Sequence, residues 1–211
     1  MWEYEHKALN NGYKKVAGVD EAGRGPLAGP VVSAAVILPM DFSCPGITDS
    51  KKLSEKKRNE FFPVIKEQAI CVATGIVSHQ KIDQINILQA SLLSMKRAVE
   101  NLAPTDNFAL PDSLLPDFLL IDGKFTIEMD IAQSAIVKGD SKSISIAAAS
   151  IIAKVTRDAI MKDLHEQYPL YNFIQHKGYP TKEHKQAILK HGPCPVHRKT
   201  FKGVKEVYYA Q

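Results

Sequence analysis

The stretch VAGVDEAGRGPLAGPVVSAAVIL, residues 16–38, joins two apolar runs through a segment rich in acids, glycine and proline. The first run, Val16–Val19, leads directly into Asp20 and Glu21, and the second is Pro30–Leu38. Both runs read as short strands bounded by turn residues. Adjacent carboxylates repel each other, and glycine weakens regular structure. A segment with both features predicts a role other than packing.

Length and composition predict one large globular domain or a domain with a small appendage. The 211 residues are 45% hydrophobic and 24% charged, which is ordinary for a chain with a sizeable core. No apolar run approaches the roughly 20 residues that a membrane-spanning helix needs. The first residues, MWEYEHKALNNGYKK, lack the apolar segment of a secretory signal. Three widely spaced cysteines, Cys44, Cys71 and Cys194, favour reduced thiols and a cytoplasmic protein.

The charge is unevenly distributed along the chain. From Lys138 to the C-terminus there are 13 Lys and Arg against 6 Asp and Glu, a net charge of +7. The first 137 residues hold 14 against 17, a net charge of −3. A basic C-terminal third favours a polyanionic partner such as nucleic acid. Charge alone leaves a merely solvated basic surface equally open.

The periodicity of the remaining chain predicts an α/β domain. Further short apolar runs predict strands at Ala69–Val77, Phe118–Ile121 and Ser134–Val137. Apolar spacing and capping residues predict helices at Ser54–Gln68, with Ser54 as the N-cap, and at Lys81–Leu102, Ser143–Gln167 and Thr181–Lys190. The predicted apolar line of the long third helix is Ile144, Ala148, Ile151, Ile152, Val155 and Ala159. Three prolines predict a loop at Ala103–Pro116. We expect five strands, the first three in a meander, within a single domain over residues 1–211 whose residues from about 160 to 211 form a basic helical region.

Acidic residues follow three of the predicted strands: Asp20 and Glu21 the first, Asp122 the fourth and Asp140 the fifth. If these strand ends share one edge of the sheet, four carboxylates converge there. Hard divalent cations, Mg²⁺ or Mn²⁺, relieve such repulsion through oxygen ligands. Two such ions suit in-line displacement at phosphorus. The alternative is that Asp122 belongs to an ordinary turn and that Asp140 caps a helix.

One further group has metal-ligand character. His191, Cys194 and His197 form an H-x₂-C-x₂-H pattern, but no fourth ligand lies at a useful spacing. We therefore do not expect zinc there. Nothing in the sequence indicates a nucleotide or organic cofactor.

Five motifs resemble those of the bacterial ribonuclease HII family. They are GVDEAGRGPLAGPVV at 18–32, DSKKLS at 49–54, IDGK at 121–124, KGDSKSISIAAASIIAKVTRD at 138–158 and HKGYPT at 176–181. The resemblance implies a ribonuclease H-like fold, a five-stranded mixed sheet flanked by helices with a helical C-terminal region. It implies hydrolysis of the RNA strand of RNA–DNA hybrids. It also implies nicking 5′ to single ribonucleotides in duplex DNA, which leaves 5′-phosphate and 3′-hydroxyl ends.

The resemblance also assigns the acids. It implies that Asp20 bridges two Mn²⁺ or Mg²⁺ ions, that Glu21 and Asp122 complete one site, and that Asp140 completes the other. Asp158, in the long-helix motif, is interpreted as an acid on the helix surface with a supporting role left open.

Substrate-binding residues follow from the same motifs. Gly23, Arg24 and Gly25 match the element that meets the ribose 2′-hydroxyl largely through its backbone. Tyr179 matches the tyrosine that packs on the neighbouring deoxyribose and senses the RNA-to-DNA junction. Lys51 and Lys52 match a loop that approaches the substrate phosphate, and Lys142 and Lys177 are weaker candidates for that task. A tight turn for the glycines and a half-buried loop position for Tyr179 are the structural alternatives.

Two other functions stay open at this stage. A nuclease of the same fold that cuts DNA, like resolvases and integrases, is disfavoured by the Gly-Arg-Gly element and Tyr179. A hybrid-binding module with an inactive site is disfavoured because all four acids are present. Nothing in the sequence demands more than a monomer or decides between Mg²⁺ and Mn²⁺.

Overall fold

A computed structural model describes residues 1–102 and 116–209. Its strands are β1 (Val16–Ala22), β2 (Val31–Ile37), β3 (Cys71–Val77), β4 (Phe118–Asp122) and β5 (Ala132–Ile136). Its α-helices are α1 (Glu3–Asn10), α2 (Glu55–Gln68), α3 (His79–Glu100), α4 (Ile144–Gln167), α5 (Phe173–His176), α6 (Lys182–His191) and α7 (Lys205–Tyr208). All but Pro116 of the predicted loop Ala103–Pro116 lies outside the described residues.

The five strands form one mixed sheet in the order β3-β2-β1-β4-β5. The first three strands are antiparallel neighbours, whereas β1 pairs with β4, and β4 with β5, in parallel. The predicted meander and the five-stranded mixed sheet are therefore confirmed. Because β1, β4 and β5 run in the same direction, their carboxyl ends lie at one edge of the sheet.

Helices cover both faces of the sheet, and alternate residues of β2 divide between the two cores. Ala34 and Val36 pack in the core with α2 and α4, whereas Ala35 and Ile37 pack in the core with α3. A Cβ atom at Gly18 would overlap the backbone of α4 at Ser145 and Ile146. This glycine therefore lets the long helix rest directly on β1, the strand that carries Asp20.

Four of the helices have a serine or threonine N-cap. Ser54, Ser78, Ser143 and Thr181 each accept a hydrogen bond from the backbone N–H three residues later. Such N-caps satisfy amide groups that lack a partner in the first turn. The predicted N-cap at Ser54 is confirmed.

The helices differ from their predictions in three respects. The helix α3 is kinked at Asn86 (φ 66°), whose Oδ1 accepts hydrogen bonds from the backbone N–H groups of Leu88 and Gln89. The predicted apolar line on α4 is wrong at Ala159, which is exposed, and every residue of 144–153 is buried. The short helices α1, α5 and α7 were not predicted. The buried Glu5 of α1 accepts hydrogen bonds from Ser143 and Ser145 at the start of α4.

The C-terminal helices pack around a separate apolar cluster. Its buried members are Leu27, Ala28, Met161, Tyr171, Phe173, Ile188, Val196 and Val204. Leu27 and Ala28 belong to the glycine-rich segment after β1, so the C-terminal third holds that segment in place. None of the helices in residues 1–102 and 116–209 combines the length and the apolar character of a membrane-spanning segment.

Candidate metal centre and nucleic-acid site

Three aspartates converge at the edge of the sheet where β1, β4 and β5 end. One carboxylate oxygen each from Asp20, Asp122 and Asp140 lies within 4.8 Å of the others. Asp20 is only 2% exposed and Asp140 only 5%. Residues more than a hundred positions apart in the chain thus form one acidic cluster.

The local placement of these acids differs from the prediction. Asp20 and Glu21 do not follow β1 but lie within it, opposite Ala34 and Ser33 of β2. Asp122 is the last residue of β4. Asp140 lies in a 3₁₀ turn, Gly139–Ser141, beyond the end of β5. The Gly139 N–H donates a hydrogen bond of 2.7 Å to Asp122 Oδ1, which ties this turn to β4.

Burial and mutual repulsion raise the pKa values of two of the three aspartates. The pKa of Asp20 is raised well above its ordinary value by burial, and then by the charges of Glu21 and Asp122. Burial, with the charges of Asp122 and Asp49, raises the pKa of Asp140 to about 6. Lys51 opposes this, since its Nζ lies 3.8 Å from Asp140 Oδ2. A divalent cation would relieve the same repulsion and displace the protons.

Glu21 lies beside the three aspartates and pairs with a cation. Its Oε1 accepts a hydrogen bond of 3.4 Å from Arg24 Nη1. Burial, opposed by Arg24 and reinforced by Asp122, raises the pKa of Glu21 to about 7. The structure therefore brings three of the four predicted acids into one cluster and places the fourth within electrostatic reach of Asp122.

The donor set fits a hard divalent cation. The Oδ1 atom of Asp20 accepts the Glu21 N–H at 2.7 Å, but its Oδ2 is buried and has no hydrogen-bond partner among the described residues. A buried carboxylate oxygen left in this state is costly unless a cation or a proton satisfies it. The three side chains offer carboxylate oxygens as ligand atoms, which favours Mg²⁺ or Mn²⁺ over zinc.

The predicted ribose-binding residues lie together on two contacting segments. A Cβ atom built on Gly25 would lie 3.5 Å from the ring of Tyr179, which is 40% exposed. The two segments are joined by a hydrogen bond of 2.8 Å from the Leu27 N–H to the Gly178 carbonyl. Gly23 has φ 105°, and a Cβ atom there would overlap the Arg157 side chain. The Gly-Arg-Gly element and the tyrosine thus form one surface.

The lysines predicted to contact phosphate divide into two groups. Lys51 and Lys52 are exposed. Partial burial lowers the pKa of Lys51, but the charges of Asp20, Asp140, Asp49 and Asp122 together raise it above its ordinary value. The weaker candidates are engaged within the protein. Lys142 Nζ donates to the Val137 carbonyl at 2.8 Å, and Lys177 Nζ lies 4.0 Å from Glu55.

Asp158 is not on the helix surface, which corrects the prediction. It is buried, with Lys154 Nζ at 2.6 Å and Arg58 Nη2 at 3.9 Å. Arg58 in turn donates hydrogen bonds to the carbonyls of Ser50 and Leu53, the residues that flank Lys51 and Lys52. Asp158 is thus connected through Arg58 to the loop of residues 50–53, which carries Lys51 and Lys52. The motif DSKKLS contains this loop, but no sequence pattern pairs it with α4.

The H-x₂-C-x₂-H segment forms hydrogen bonds within the C-terminal region. His197 Nε2 lies 3.0 Å from His184 Nε2, and His197 Nδ1 accepts from the Cys194 N–H at 2.9 Å. His191 is exposed at the end of α6. His184 Nδ1 also lies 2.9 Å from the Tyr179 carbonyl. His184 therefore links His197 of this segment to the loop that carries Tyr179.

Solved structures share this fold. The ribonuclease H2 of Pyrococcus horikoshii OT3 superposes with a TM-score of 0.73 at 24% identity, covering 93% of this chain and 98% of that one. Bst-RNase HIII, solved in complex with Mn²⁺, superposes with a TM-score of 0.69 at 20% identity, covering 96% and 72%. The chain therefore has the ribonuclease H-like fold, and its acidic cluster lies at the carboxyl ends of the parallel strands of that fold.

Sequence comparison narrows the class to a family. The Ribonuclease HII family model matches residues 17–204. The Ribonuclease HII of Geobacter metallireducens is 54% identical over 206 residues, which cover 98% of this chain and 92% of that protein. The chain belongs to the ribonuclease HII family and is an endonuclease of the ribonuclease H type. The resemblance drawn from its motifs is thereby confirmed.

Proposed function

We propose that this protein hydrolyses the RNA strand of RNA–DNA hybrids and nicks duplex DNA on the 5′ side of single embedded ribonucleotides. Cleavage leaves 5′-phosphate and 3′-hydroxyl ends. The observation that carries the proposal is the three-aspartate cluster, whose oxygen atoms lie within 4.8 Å of one another at the sheet edge. Family membership supports action on nucleic acid, and the position of Gly25 beside the Tyr179 ring supports selection of a ribose.

Asp20, Glu21, Asp122 and Asp140 are proposed to hold two divalent cations, Mn²⁺ or Mg²⁺. When bound, such cations activate water and stabilise the leaving oxygen in phosphodiester hydrolysis. Asp20 would be a ligand of both cations, as the family resemblance implies, and one of its buried oxygens has no hydrogen-bond partner among the described residues. Arg24 holds Glu21 by the 3.4 Å hydrogen bond, and Lys51 supplies an exposed cation beside Asp140.

The remaining residues are proposed to select and position the nucleic acid. A ribose differs from a deoxyribose by its 2′-hydroxyl, so selection requires polar groups that approach this atom closely. Gly23, Arg24 and Gly25 supply backbone groups without bulk at the glycines, and the ring of Tyr179 offers a flat surface that suits a deoxyribose. Lys51 and Lys52 are proposed to contact phosphate, which positions the duplex without reading sequence.

We further propose that the protein acts as a monomeric, single-domain enzyme in the cytoplasm. The three cysteines are free thiols, which is consistent with a reducing compartment. The three acids of the cluster come from one chain, so the proposed metal site needs no partner subunit.

The test is cleavage of a DNA duplex that carries one ribonucleotide, with and without Mn²⁺ or Mg²⁺, followed by mapping of the nick. We expect a single cut on the 5′ side of the ribonucleotide that requires the cation. Asp20→Asn should lower the rate at least about 100-fold while duplex binding persists, because a carboxylate ligand is lost without a change in volume. Asp163→Asn, an exposed acid on α4, is the matched control and should cleave normally.

Three outcomes contradict the proposal. Cutting of all-DNA duplexes at the same rate would indicate the DNA nuclease alternative. Binding without cleavage in either cation would indicate an inactive hybrid-binding module. Wild-type turnover by Asp20→Asn in Mn²⁺ would remove Asp20 from the metal site.

A further inference from the structure

Two completely buried arginines lie beneath the segment that follows β1. We call residues 23–30 the glycine loop. Arg198 is 0% exposed and Arg157 is 1% exposed. In the described part of the chain, no carboxylate lies within 4.0 Å of either guanidinium. Buried cations without an acidic partner are costly, so their hydrogen bonds must satisfy them.

Backbone carbonyls of the glycine loop provide those hydrogen bonds. Arg198 donates to the carbonyl oxygens of Gly23 at 2.6 Å, Gly29 at 3.0 Å, and Arg24 and Pro30 at 3.1 Å. Arg157 donates to Pro30 at 3.0 Å, Ala28 at 3.2 Å and Lys177 at 3.0 Å. The planar guanidinium of Arg198 thus binds carbonyls at both ends of the glycine loop, residues 23–24 and 29–30.

The orientation of two peptide planes follows from these contacts. In a planar trans peptide, the carbonyl of one residue and the N–H of the next point in opposite directions. The inward carbonyls of Gly23 and Arg24 therefore turn the N–H groups of Arg24 and Gly25 outward. Neither N–H donates a hydrogen bond to another described residue. Two free donors consequently face outward beside the ring of Tyr179, which lies 3.5 Å from the Cβ position of Gly25.

We propose that Arg198 is a positioning residue for ribose recognition. It fixes these two peptide planes so that the N–H groups of Arg24 and Gly25 meet the substrate sugar hydroxyl. Arg157 extends the arrangement, because its bond to the Lys177 carbonyl ties the glycine loop to the loop of Tyr179. This inference rests on the proposed function, since it assumes that the glycine loop receives a ribonucleotide.

The chemistry of the side chain explains why arginine occupies this position. A guanidinium carries five N–H donors in a rigid plane, whereas an ammonium is a compact group with three donors on a flexible chain. Lysine at position 198 would keep the positive charge but could not hold four carbonyls in this arrangement. Arg198→Lys therefore separates loop geometry from charge.

The test compares affinity for a DNA duplex with one ribonucleotide against the identical all-DNA duplex, measured by fluorescence anisotropy in EDTA. We expect the ratio of the two affinities, ribonucleotide duplex over all-DNA duplex, to fall about tenfold in Arg198→Lys and Arg198→Gln. A fall of this size corresponds to the loss of one or two hydrogen bonds. Affinity for the all-DNA duplex should stay within about twofold of wild type. Lys202→Gln removes an exposed charge near Arg198 in sequence and should retain the preference.

The outcomes separate this inference from the proposed function. A wild-type preference that survives in both Arg198 variants would overturn the positioning role alone. Equal binding of both duplexes by the wild type, with no cleavage at the ribonucleotide, would overturn ribose recognition and the positioning role together. Should neither variant fold, the backbone amide NMR signals of Arg24 and Gly25 in the wild type decide. A shift with the ribonucleotide duplex alone supports the inference, and identical responses to both duplexes overturn it.

Discussion

Asp20 combines burial, neighbouring negative charge and an unpartnered oxygen in one side chain. A carboxyl whose pKa is raised on folding binds more protons in the folded state than in the unfolded state. Its stabilising contribution is therefore complete below its ordinary pKa and is lost as the pH rises through the folded value. For Asp140 that loss extends through about pH 6, and for Glu21 through about pH 7. Without metal, the acids thus destabilise the fold most above neutral pH.

This linkage predicts the behaviour of Asp20→Asn without metal. We expect its melting temperature at pH 8 to exceed that of the wild type by at least about 3 °C, with a smaller difference at pH 5. Buried imidazoles such as His184, whose pKa burial lowers to about 4, are common to both proteins and cancel in the comparison. Differential scanning calorimetry in EDTA measures the effect. A lower melting temperature for the variant at pH 8 would contradict the claim that the ionised Asp20 carboxylate destabilises the metal-free fold.

At the scale of elements, a close approach between α4 and β1 supports the site. Gly18 leaves no room for a side chain against Ser145 and Ile146, whereas a Cβ at Gly25 has ordinary contact distances to Tyr179. We expect Gly18→Ala to destabilise the protein by about 2 kcal/mol or more, because helix and strand must separate. Gly25→Ala is the control, expected to change stability by less than about 0.5 kcal/mol. Urea denaturation of both variants tests this, and equal stabilities would contradict the packing argument.

Element types were predictable from sequence, but their ends and some of their contacts were not. Strand β1 extends through Asp20 and Glu21 because pairing with β2 outweighs the low strand preference of acidic residues. The kink at Asn86 depends on a side-chain bond to Leu88 and Gln89 that apolar spacing does not reveal. The short helix α1 was missed because its eight residues are too few to establish a periodic pattern, although Tyr4 and Ala8 lie one turn apart.

At the scale of the whole molecule, the convergence of the acids at one sheet edge was predictable from sequence. The buried arginines that hold the neighbouring glycine loop were not. Repetition of acids after apolar runs indicated a shared sheet edge, and the parallel pairing of β1, β4 and β5 provides one. Arg157 and Arg198 contribute to the basic C-terminal third by count, yet both are buried. A count of charges cannot separate an arginine that faces solvent from one that binds backbone carbonyls across the fold. Only the tertiary structure shows that this third organises the glycine loop.

The central claim is that Asp20, Asp122 and Asp140 form a divalent-cation site. Anomalous diffraction from crystals soaked in Mn²⁺, at a concentration that supports cleavage, measures it directly. We predict a peak in contact with carboxylate oxygens of all three aspartates, and its loss in Asp20→Asn crystals. Well-occupied Mn²⁺ elsewhere in the wild type, with none at these three side chains, would contradict the claim.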